Sequence, residues 1–250
     1  MKRLAEKGVI PTKFSKMNYP LCPWCIFGKQ HRKPWRSTKK RVQIRREDET
    51  APGMCTSTDQ LVSAQGGLIP QRTGKLMSAR YVGATIFVDH FSDYVYVHLM
   101  RELTAEATLE AKNAWERLAG THAVRIRRYR ADNGRYSDPS FLQDIKDNGQ
   151  LITFCGVGAH HQNGIAERKI RDLTENARTQ LVHAMHLWPG VIKQILWPFA
   201  LKAVVRAHNK FKLDSNHLSP EEKFSRLKVK QSAKEEHTLF CPVYCLDAKL

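Results

Sequence analysis

At 250 residues the chain is long enough to bury a core, and its 42% hydrophobic content is typical of a globular protein, not of a disordered or fibrous one. The formal net charge of +17 is far from average, and the first 50 residues hold 14 Lys and Arg against 4 Asp and Glu. This imbalance favours a polyanionic partner, most often a nucleic acid. A solvated basic tail is the simpler alternative.

The composition also argues against membrane and disulfide-stapled secreted proteins. The longest apolar stretch, WPGVIKQILWPFALKAVV, is interrupted by Lys193 and Lys202 and is better explained by a pair of helices. The N-terminus lacks the apolar core of a secretory signal. Six cysteines in a chain of this length do not make a disulfide framework, so we expect an intracellular protein with reduced thiols.

Three zones differ in composition along the chain. Residues 1–35 contain Cys22 and Cys25 in the compact stretch LCPWCIFGKQHRKPW. Residues 36–53 are charged and poor in core-forming residues, as in a linker. The basic run Lys29–Arg46 could contact DNA, direct nuclear import or serve as a solvated tether. Periodic hydrophobic patterning begins at Met54.

From Met54 onward the pattern predicts strands first and helices later. Strands are expected in MCTSTDQL, in RYVGATIFVDHF and DYVYVHLM (a hairpin with an FSD turn), in AVRIRRYRA and in QLITFCG. Helices are expected from Thr104 as N-cap to Gly120 as stop, in DPSFLQDIKDNG, from Asn163 to His186 and from Pro189 to Lys210. This order implies an α/β architecture in which helices cover a mixed sheet.

Two aspartates occupy unusual places in the strand pattern. Asp132 directly follows a strand and precedes an Asn-Gly turn, at a sheet end where ligands usually bind, although an Asx-turn role also fits. Asp59 lies within a strand, where aspartate is rare and costly to bury unpaired, so it is either solvated or bound to a cation. Asp89 precedes the hairpin turn, and we expect a structural role for it.

Glu167 lies in the first turn of the helix that begins near Asn163. At 100° per residue, it leads a narrow stripe with Arg171, Thr174 and Arg178, beside the apolar face of the helix. Interaction with the helix dipole and an ion pair with Arg171 would explain Glu167 taken alone. They do not explain why the basic stripe continues to Arg178, which could follow a phosphate backbone.

Together these segments resemble the integrase core of copia-type LTR retrotransposon polyproteins, over most of the chain. CPWCIFGKQHRKPW is similar to the end of the pre-integrase zinc module, STDQL to the first-aspartate strand, and FVDHFSDYVYVHLM to the second and third strands. RADNGRY resembles the Asp-Asn-Gly motif, and LFCPVYCLDAKL the segment beyond the core. The most specific match is HHQNGIAERKIRDLTENAR, which resembles the family's Gln-Asn-Gly-(hydrophobic)-Ala-Glu-Arg signature.

The resemblance implies an RNase H-like fold of the retroviral integrase type: a mixed five-stranded sheet flanked by helices, with a small N-terminal Cys-x-x-Cys appendage. It also implies that Asp59, Asp132 and Glu167 are catalytic and bind two Mg²⁺ or Mn²⁺ ions, cations that prefer carboxylate oxygens. Two ions about 4 Å apart can activate the attacking oxygen and stabilise the leaving one in a phosphoryl displacement. The implied activity is that of a polynucleotidyl transferase that trims DNA 3′ ends and joins them to target DNA.

The resemblance further implies partners and a location. DNA, as LTR ends and target, would contact Asn163, Arg168, Lys169, Arg171 and Arg178. The active form would be a homo-oligomer that works in the nucleus after transport in a cytoplasmic particle, with no membrane and no small-molecule cofactor.

The resemblance also divides the chain into segments and leaves one metal site incomplete. The implied segments are a zinc-module remnant at 1–35, a basic linker at 36–53, the catalytic core at 54–225 and the start of a post-core segment at 226–250. Because residues 1–21 contain no histidine, Cys22 and Cys25 make up only half of a zinc site. His31 could add a third ligand. The alternative function is an inactive or truncated DNA-binding remnant. An RNase H-type nuclease is disfavoured by the QNGIAER segment.

Overall fold

A computed structural model describes residues 1–30, 49–71, 77–155, 163–229, 231, 233 and 236–241. The strands in these residues are β1 (Thr56–Gly67), β2 (Tyr81–Asp89), β3 (Val95–Met100), β4 (Arg128–Ala131) and β5 (Leu151–Phe154). The α-helices are α1 (Lys2–Glu6), α2 (Pro23–Gly28), α3 (Ala105–Thr121), α4 (Pro139–Asp147), α5 (Gly164–Leu187), α6 (Trp197–Phe211) and α7 (Pro220–Ser225).

The five strands form one mixed sheet in the order β3-β2-β1-β4-β5. β1, β2 and β3 are antiparallel neighbours, whereas β4 pairs parallel to β1 and β5 pairs parallel to β4. The parallel pairs are connected through α3 and α4, because a parallel crossover needs a long connection. The predicted α/β fold class is therefore confirmed.

Helices cover both faces of the sheet and enclose two hydrophobic cores. On one face, Ala84, Ile86 and Val88 of β2 pack with apolar residues of α5 and α6. On the other face, Phe87 packs with Trp115 of α3 and with residues of α4. Alternate residues of β2 thus enter opposite cores, as the two-residue period of a strand requires. Because both faces are covered, β2 is buried from Gly83 to Asp89.

The helix starts follow local capping chemistry. The Thr104 side chain accepts a hydrogen bond from the Ala107 amide, and Asp138 caps α4 by accepting from the Ser140 amide. The prediction missed α7, although Ser219-Pro220-Glu221-Glu222 carries its start signal: Ser219 and Glu222 form a capping box.

One predicted helix end is confirmed to within a residue, and one predicted helix start is wrong. α3 ends at Thr121, one residue after the predicted stop at Gly120, and the left-handed residue after it is Ala123, with φ of 55°. The last long helix does not begin at Pro189. Gly190 (φ 82°) turns the chain there, and α6 begins only at Trp197, with proline in its first turn. None of the helices in the described part of the chain is long and apolar enough to cross a membrane.

The described residues before β1 pack against the core. In the N-terminal segment, Arg3 donates a hydrogen bond to the Leu213 carbonyl oxygen at 2.8 Å. Gly28 of α2 lies so close to Thr179 of α5 that a larger side chain would collide with it. Of the predicted linker, 49–53 is described, and Gly53 is buried, with its amide bound to Asp89. The proposed domain boundaries remain predictions.

Candidate active site

The strand register brings Asp59 and Asp132 to neighbouring positions. β1 and β4 run parallel, with Thr56 opposite Tyr129 and Ser57 opposite Arg130. If this register continued by two residues, Asp59 would lie opposite Asp132, which directly follows β4. Both side chains are partly exposed. The two aspartates are 73 positions apart in the sequence, yet they are neighbours across the sheet.

The alternation of side chains along the strands indicates which face of the sheet the two aspartates share. Leu61, two residues beyond Asp59 on β1, packs against the core of α5 and α6. Tyr129 and Ala131 of β4 belong to the opposite core. Asp132 directly follows Ala131, so continued alternation would direct its side chain away from that opposite core and toward the face that α5 covers.

The start of α5 is tied to β1 next to Asp59. Asn163, the N-cap residue of α5, is buried, and its side-chain amide donates to the Thr58 carbonyl oxygen at 3.0 Å. Glu167 lies in the first turn of α5 and is partly exposed. The Asn163–Thr58 hydrogen bond therefore fixes the helix turn that carries Glu167 beside the strand that carries Asp59.

Two neighbouring side chains respond to the charges of these carboxylates. The pKa of Tyr136 is raised, chiefly by burial, with Asp59 and Asp132 acting in the same direction. The pKa of the Cys155 thiol is also raised, chiefly by burial, with Arg130 opposing the shift and Asp132 and Glu167 adding to it. Asp132 thus acts on one neighbour together with Asp59 and on another together with Glu167.

The donor set fits hard divalent cations. Three carboxylates and no nitrogen or sulfur ligand match the preferences of Mg²⁺ and Mn²⁺. Among the described residues, the triad does not bring three ligand atoms within 4.8 Å of one another. A two-ion centre spreads its ligands around cations about 4 Å apart and does not require a single cluster of that size.

Each aspartate also has a local backbone contact. The Gln60 amide donates to Asp59 at 2.8 Å, and the Gly134 amide donates to Asp132 at 3.2 Å, the Asx-type turn foreseen as an alternative. Each of these contacts uses one carboxylate oxygen. A structural role for these residues is therefore compatible with a chemical one.

Asp89 has the structural surroundings expected for it. Its buried carboxylate accepts hydrogen bonds from the Gly53 amide and from the amide and hydroxyl of Ser92. Burial nevertheless raises its pKa above the ordinary value. Asp89 holds the hairpin turn together and is separate from the candidate triad.

The five residues predicted to contact DNA fall into two groups. Arg168, Arg171 and Arg178 are exposed on α5. Lys169 is 6% exposed and forms an ion pair with Asp93 at 2.6 Å, and Asn163 is bound inside the protein. These last two side chains position α5 in the structure, and their contact with DNA remains a prediction.

Asp93 connects the hairpin to two helices through Lys169, His208 and Lys212. Burial alone would raise its pKa, but the hydrogen bond from His208 and the charge of Lys169 outweigh that effect and hold the pKa well below its ordinary value. A carboxylate with a lowered pKa in the folded state stabilises the protein above the pKa of the unfolded chain, and this contribution is lost as the pH falls.

Asp93→Asn should therefore lower the free energy of unfolding at neutral pH. We expect a loss of about 1–3 kcal/mol, below the range for breaking a fully buried pair, because 38% of the Asp93 side chain is exposed and solvent screens it. Below about pH 4 the difference from wild type should shrink. Urea unfolding at about pH 7 and pH 3 measures it. Asp147→Asn, an exposed carboxylate on α4, is the control, and an equal loss there or a pH-independent difference would contradict the prediction.

Cys22 and Cys25 lie at the start of α2, both exposed and both as free thiols. Hydrogen bonds from Cys25, first from its backbone and then from its side chain, lower the pKa of Cys22. Among the described residues, no third metal-ligating side chain completes a cluster with them. His31, the further candidate ligand, and Cys245 lie outside the described residues, so zinc binding stays a prediction.

Sequence reasoning missed two residues beside the candidate site. Tyr136 is buried and its hydroxyl lies 3.0 Å from that of Thr58, which fixes the turn after Asp132 to β1. Cys155 directly follows β5, and its carbonyl oxygen accepts from the Asn133 side chain at 3.1 Å. Tyr136 could have been suspected from its position four residues after Asp132. No signal in the sequence indicated Cys155.

Known proteins share both sequence and fold with this chain. The retrovirus-related Pol polyprotein from transposon TNT 1-94 of Nicotiana tabacum is 25% identical over 190 residues, which span 72% of this chain but 13% of that polyprotein. No protein-family model matches the sequence.

Two solved structures of viral proteins are similar to the fold. The simian T-cell lymphotropic virus intasome, in complex with PP2A regulatory subunit B56 gamma, matches with a TM-score of 0.54 and 15% identity, over 86% of this chain and 65% of that one. The HTLV-2 integrase catalytic core domain in complex with magnesium gives a TM-score of 0.49 and 15% identity, over 70% of this chain and 97% of that one. The first of these and the five-stranded sheet support the RNase H-like integrase fold, and the resemblance to an LTR-retrotransposon integrase core is confirmed.

Proposed function

We propose that this chain is a metal-dependent DNA integrase core of an LTR retrotransposon, of the copia type, that trims DNA 3′ ends and joins them to target DNA. The observation that supports the proposal is the parallel register of β1 and β4, which, continued by two residues, would bring Asp59 opposite Asp132. Glu167 lies in the first turn of that helix, and the Asn163–Thr58 hydrogen bond holds this turn beside β1. The similarity to a retrotransposon polyprotein supports the same reaction class.

In this proposal Asp59, Asp132 and Glu167 would hold two Mg²⁺ or Mn²⁺ ions, which would supply Lewis-acid catalysis for the phosphoryl transfer. Asp59 lies on β1, and Asp132 directly follows the neighbouring strand β4, so the sheet positions both residues. Glu167 sits on a separate element, and the buried Asn163 fixes its approach. The role of the protein is thus to position the three carboxylates, and no covalent protein intermediate is required.

The exposed arginines of α5 would contact the DNA backbone. Arg168, Arg171 and Arg178 lie on the helix that carries Glu167, in a chain of net charge +17. DNA bound along this helix would place a phosphate near the carboxylates. LTR ends and target DNA are the proposed substrates, a homo-oligomer is the proposed active form, and the nucleus is the proposed site of action.

Arg171→Gln together with Arg178→Gln should weaken DNA binding and reduce its salt dependence. Each lost phosphate contact lowers the slope of log K against log salt by about 0.9, so the double variant should lose up to about 1.8. Fluorescence anisotropy with a labelled duplex at several salt concentrations measures the slope. Arg117→Gln, an exposed arginine of α3 on the opposite face, should leave it unchanged. An unchanged slope in the double variant would exclude these arginines as phosphate contacts.

A strand-transfer assay tests the proposed activity directly. The full chain is incubated with an oligonucleotide duplex that mimics an LTR end, target DNA and Mg²⁺ or Mn²⁺, and joined products are separated on a denaturing gel. We expect a product that depends on the cation. DNA binding without any joined product would favour the alternative, a non-catalytic DNA-binding remnant.

A further inference from the structure

A second group of metal-ligating side chains lies apart from the candidate triad. Glu49 and Cys55 come from the segment that leads into β1, and His90 directly follows β2. One ligand atom from each lies within 4.8 Å of the others, and this is the only such group of three among the described residues. We name it the Glu–Cys–His cluster. A carboxylate, a thiol and an imidazole thus meet although 35 residues separate Cys55 from His90.

The contacts of His90 set the orientation of its ring. Nδ1 lies 2.7 Å from Glu49 Oε1, and Nε2 lies 2.8 Å from Ser57 Oγ and 4.0 Å from Cys55 Sγ. If Nε2 carries the proton and donates it to Ser57, the lone pair of Nδ1 faces the Glu49 carboxylate, and one cation can bind both. A metal-bound histidine generally donates its other ring N–H to a hydrogen-bond partner, which fixes the orientation of the ring.

The cluster is shielded from solvent. The side chains of His90 and Glu49 are 2% and 13% exposed, and Cys55 is 1% exposed. A backbone hydrogen bond also holds His90 next to Cys55, because the His90 amide donates to the Cys55 carbonyl oxygen at 3.0 Å.

The same region contains a hydrogen-bonded series, Ser57–His90–Glu49, like that of a serine hydrolase. Ser57 is fully buried, however, so a substrate cannot reach its hydroxyl.

The ligand chemistry fits zinc-class cations. Zinc binds thiolate at about 2.3 Å and imidazole or carboxylate at about 2.0–2.2 Å, so tetrahedral ligand atoms lie roughly 3.3–3.8 Å apart. The Nδ1–Oε1 distance of 2.7 Å is shorter than this range, and the three ligand atoms lie within 4.8 Å of one another, so side-chain shifts of about 1 Å would form the site. Thiolate and imidazole disfavour Mg²⁺ and Mn²⁺, the cations that suit the carboxylate triad.

We propose that Glu49, Cys55 and His90 bind one zinc-class cation, with a water molecule as the fourth ligand. The ion would fasten the segment before β1 to the end of β2 and so brace the strand that carries Asp59. This site is distinct from the carboxylate triad and from the pair Cys22 and Cys25, and it does not depend on the proposed integrase activity.

Cobalt spectroscopy tests the proposal, because a thiolate bound to Co²⁺ gives a charge-transfer band that carboxylate sites do not produce. The starting protein carries Cys22→Ser and Cys25→Ser, which removes the other candidate thiolate site, and is stripped of metal with a chelator. Titration with Co²⁺ should give this band and saturate at about one thiolate-bound ion per chain. No band from this folded protein would overturn the proposal.

Two further substitutions in the same background locate the ligand. Cys55→Ser exchanges the thiol for a hydroxyl of similar size and should abolish the band. Cys155→Ala removes another buried thiol, the one beside the carboxylate triad, and should leave the band unchanged. A band that survives Cys55→Ser, or that disappears with Cys155→Ala, would place the thiolate elsewhere.

Thermal unfolding provides a second readout. Zn²⁺ should raise the unfolding midpoint of the starting protein, because a ligand that binds only the folded state stabilises it. The rise should be lost in His90→Gln, with circular dichroism used to verify that this variant is folded. An equal rise in His90→Gln would contradict the assignment of His90 as a ligand.

Discussion

Glu167→Gln is expected to reduce strand transfer at least about 10³-fold while leaving DNA affinity within about threefold of wild type. Glutamine preserves the shape of the side chain but removes the negative charge that a divalent cation needs. The binding surface is unchanged, because the exposed arginines of α5 remain in place. Single-turnover joining of a labelled duplex measures the rate, and fluorescence anisotropy measures the affinity.

Glu175→Gln provides the matched control on the same helix. It makes the same chemical change two turns further along α5, away from the start of the helix, so strand transfer should remain close to wild type. If Glu167→Gln stayed active, Glu167 could not be a metal ligand of the reaction. If both variants lost activity equally, the cause would be the general loss of negative charge on α5.

Trp115→Ala should have the largest effect on stability, a loss of about 3–5 kcal/mol in the free energy of unfolding. Trp115 is fully buried on α3, where its ring lies 6.0 Å from that of Phe87 and 5.3 Å from that of Phe224. The substitution would leave a large cavity between the sheet and α3. Urea unfolding followed by circular dichroism measures the loss, and a cost below about 1 kcal/mol would show that this core collapses around the cavity.

Trp115→Phe separates ring packing from hydrogen bonding at the same position. The indole Nε1 of Trp115 is buried without a hydrogen-bond partner in the described structure. Phenylalanine therefore removes no hydrogen bond and keeps most of the aromatic packing. We expect less than half of the loss caused by Trp115→Ala, and equal losses would mean that an unrecognised partner of the indole dominates.

The order and type of the main elements were readable from local sequence, because each depends on a local pattern. Two β-rich runs joined by a tight turn indicated β2 and β3, and the Thr104 cap marked the start of α3. For α5, the predicted core face includes Ala166, Leu173, Ala177, Leu181 and Ala184, all of which are buried. The 3.6-residue period of a long amphipathic helix is hard to mistake.

Element ends were less predictable, because tertiary contacts compete with local signals there. The last long helix was predicted to begin at Pro189, yet α6 begins only at Trp197. The strand predicted at residues 54–61 begins at Thr56 and extends to Gly67, because β2 pairs with it along most of that length. Pairing with another strand is not encoded in the segment itself.

The sequence by itself determined the fold class and the candidate catalytic residues, the latter through a motif resemblance at Asp59, Asp132 and Glu167. Only the tertiary structure decided which side chains of α5 reach solvent: Arg171 does, whereas Lys169 is held by Asp93. It alone also brought the Glu–Cys–His cluster together. Sheet register and helix docking set such proximity, and they join residues far apart in the chain through contacts that no local pattern records.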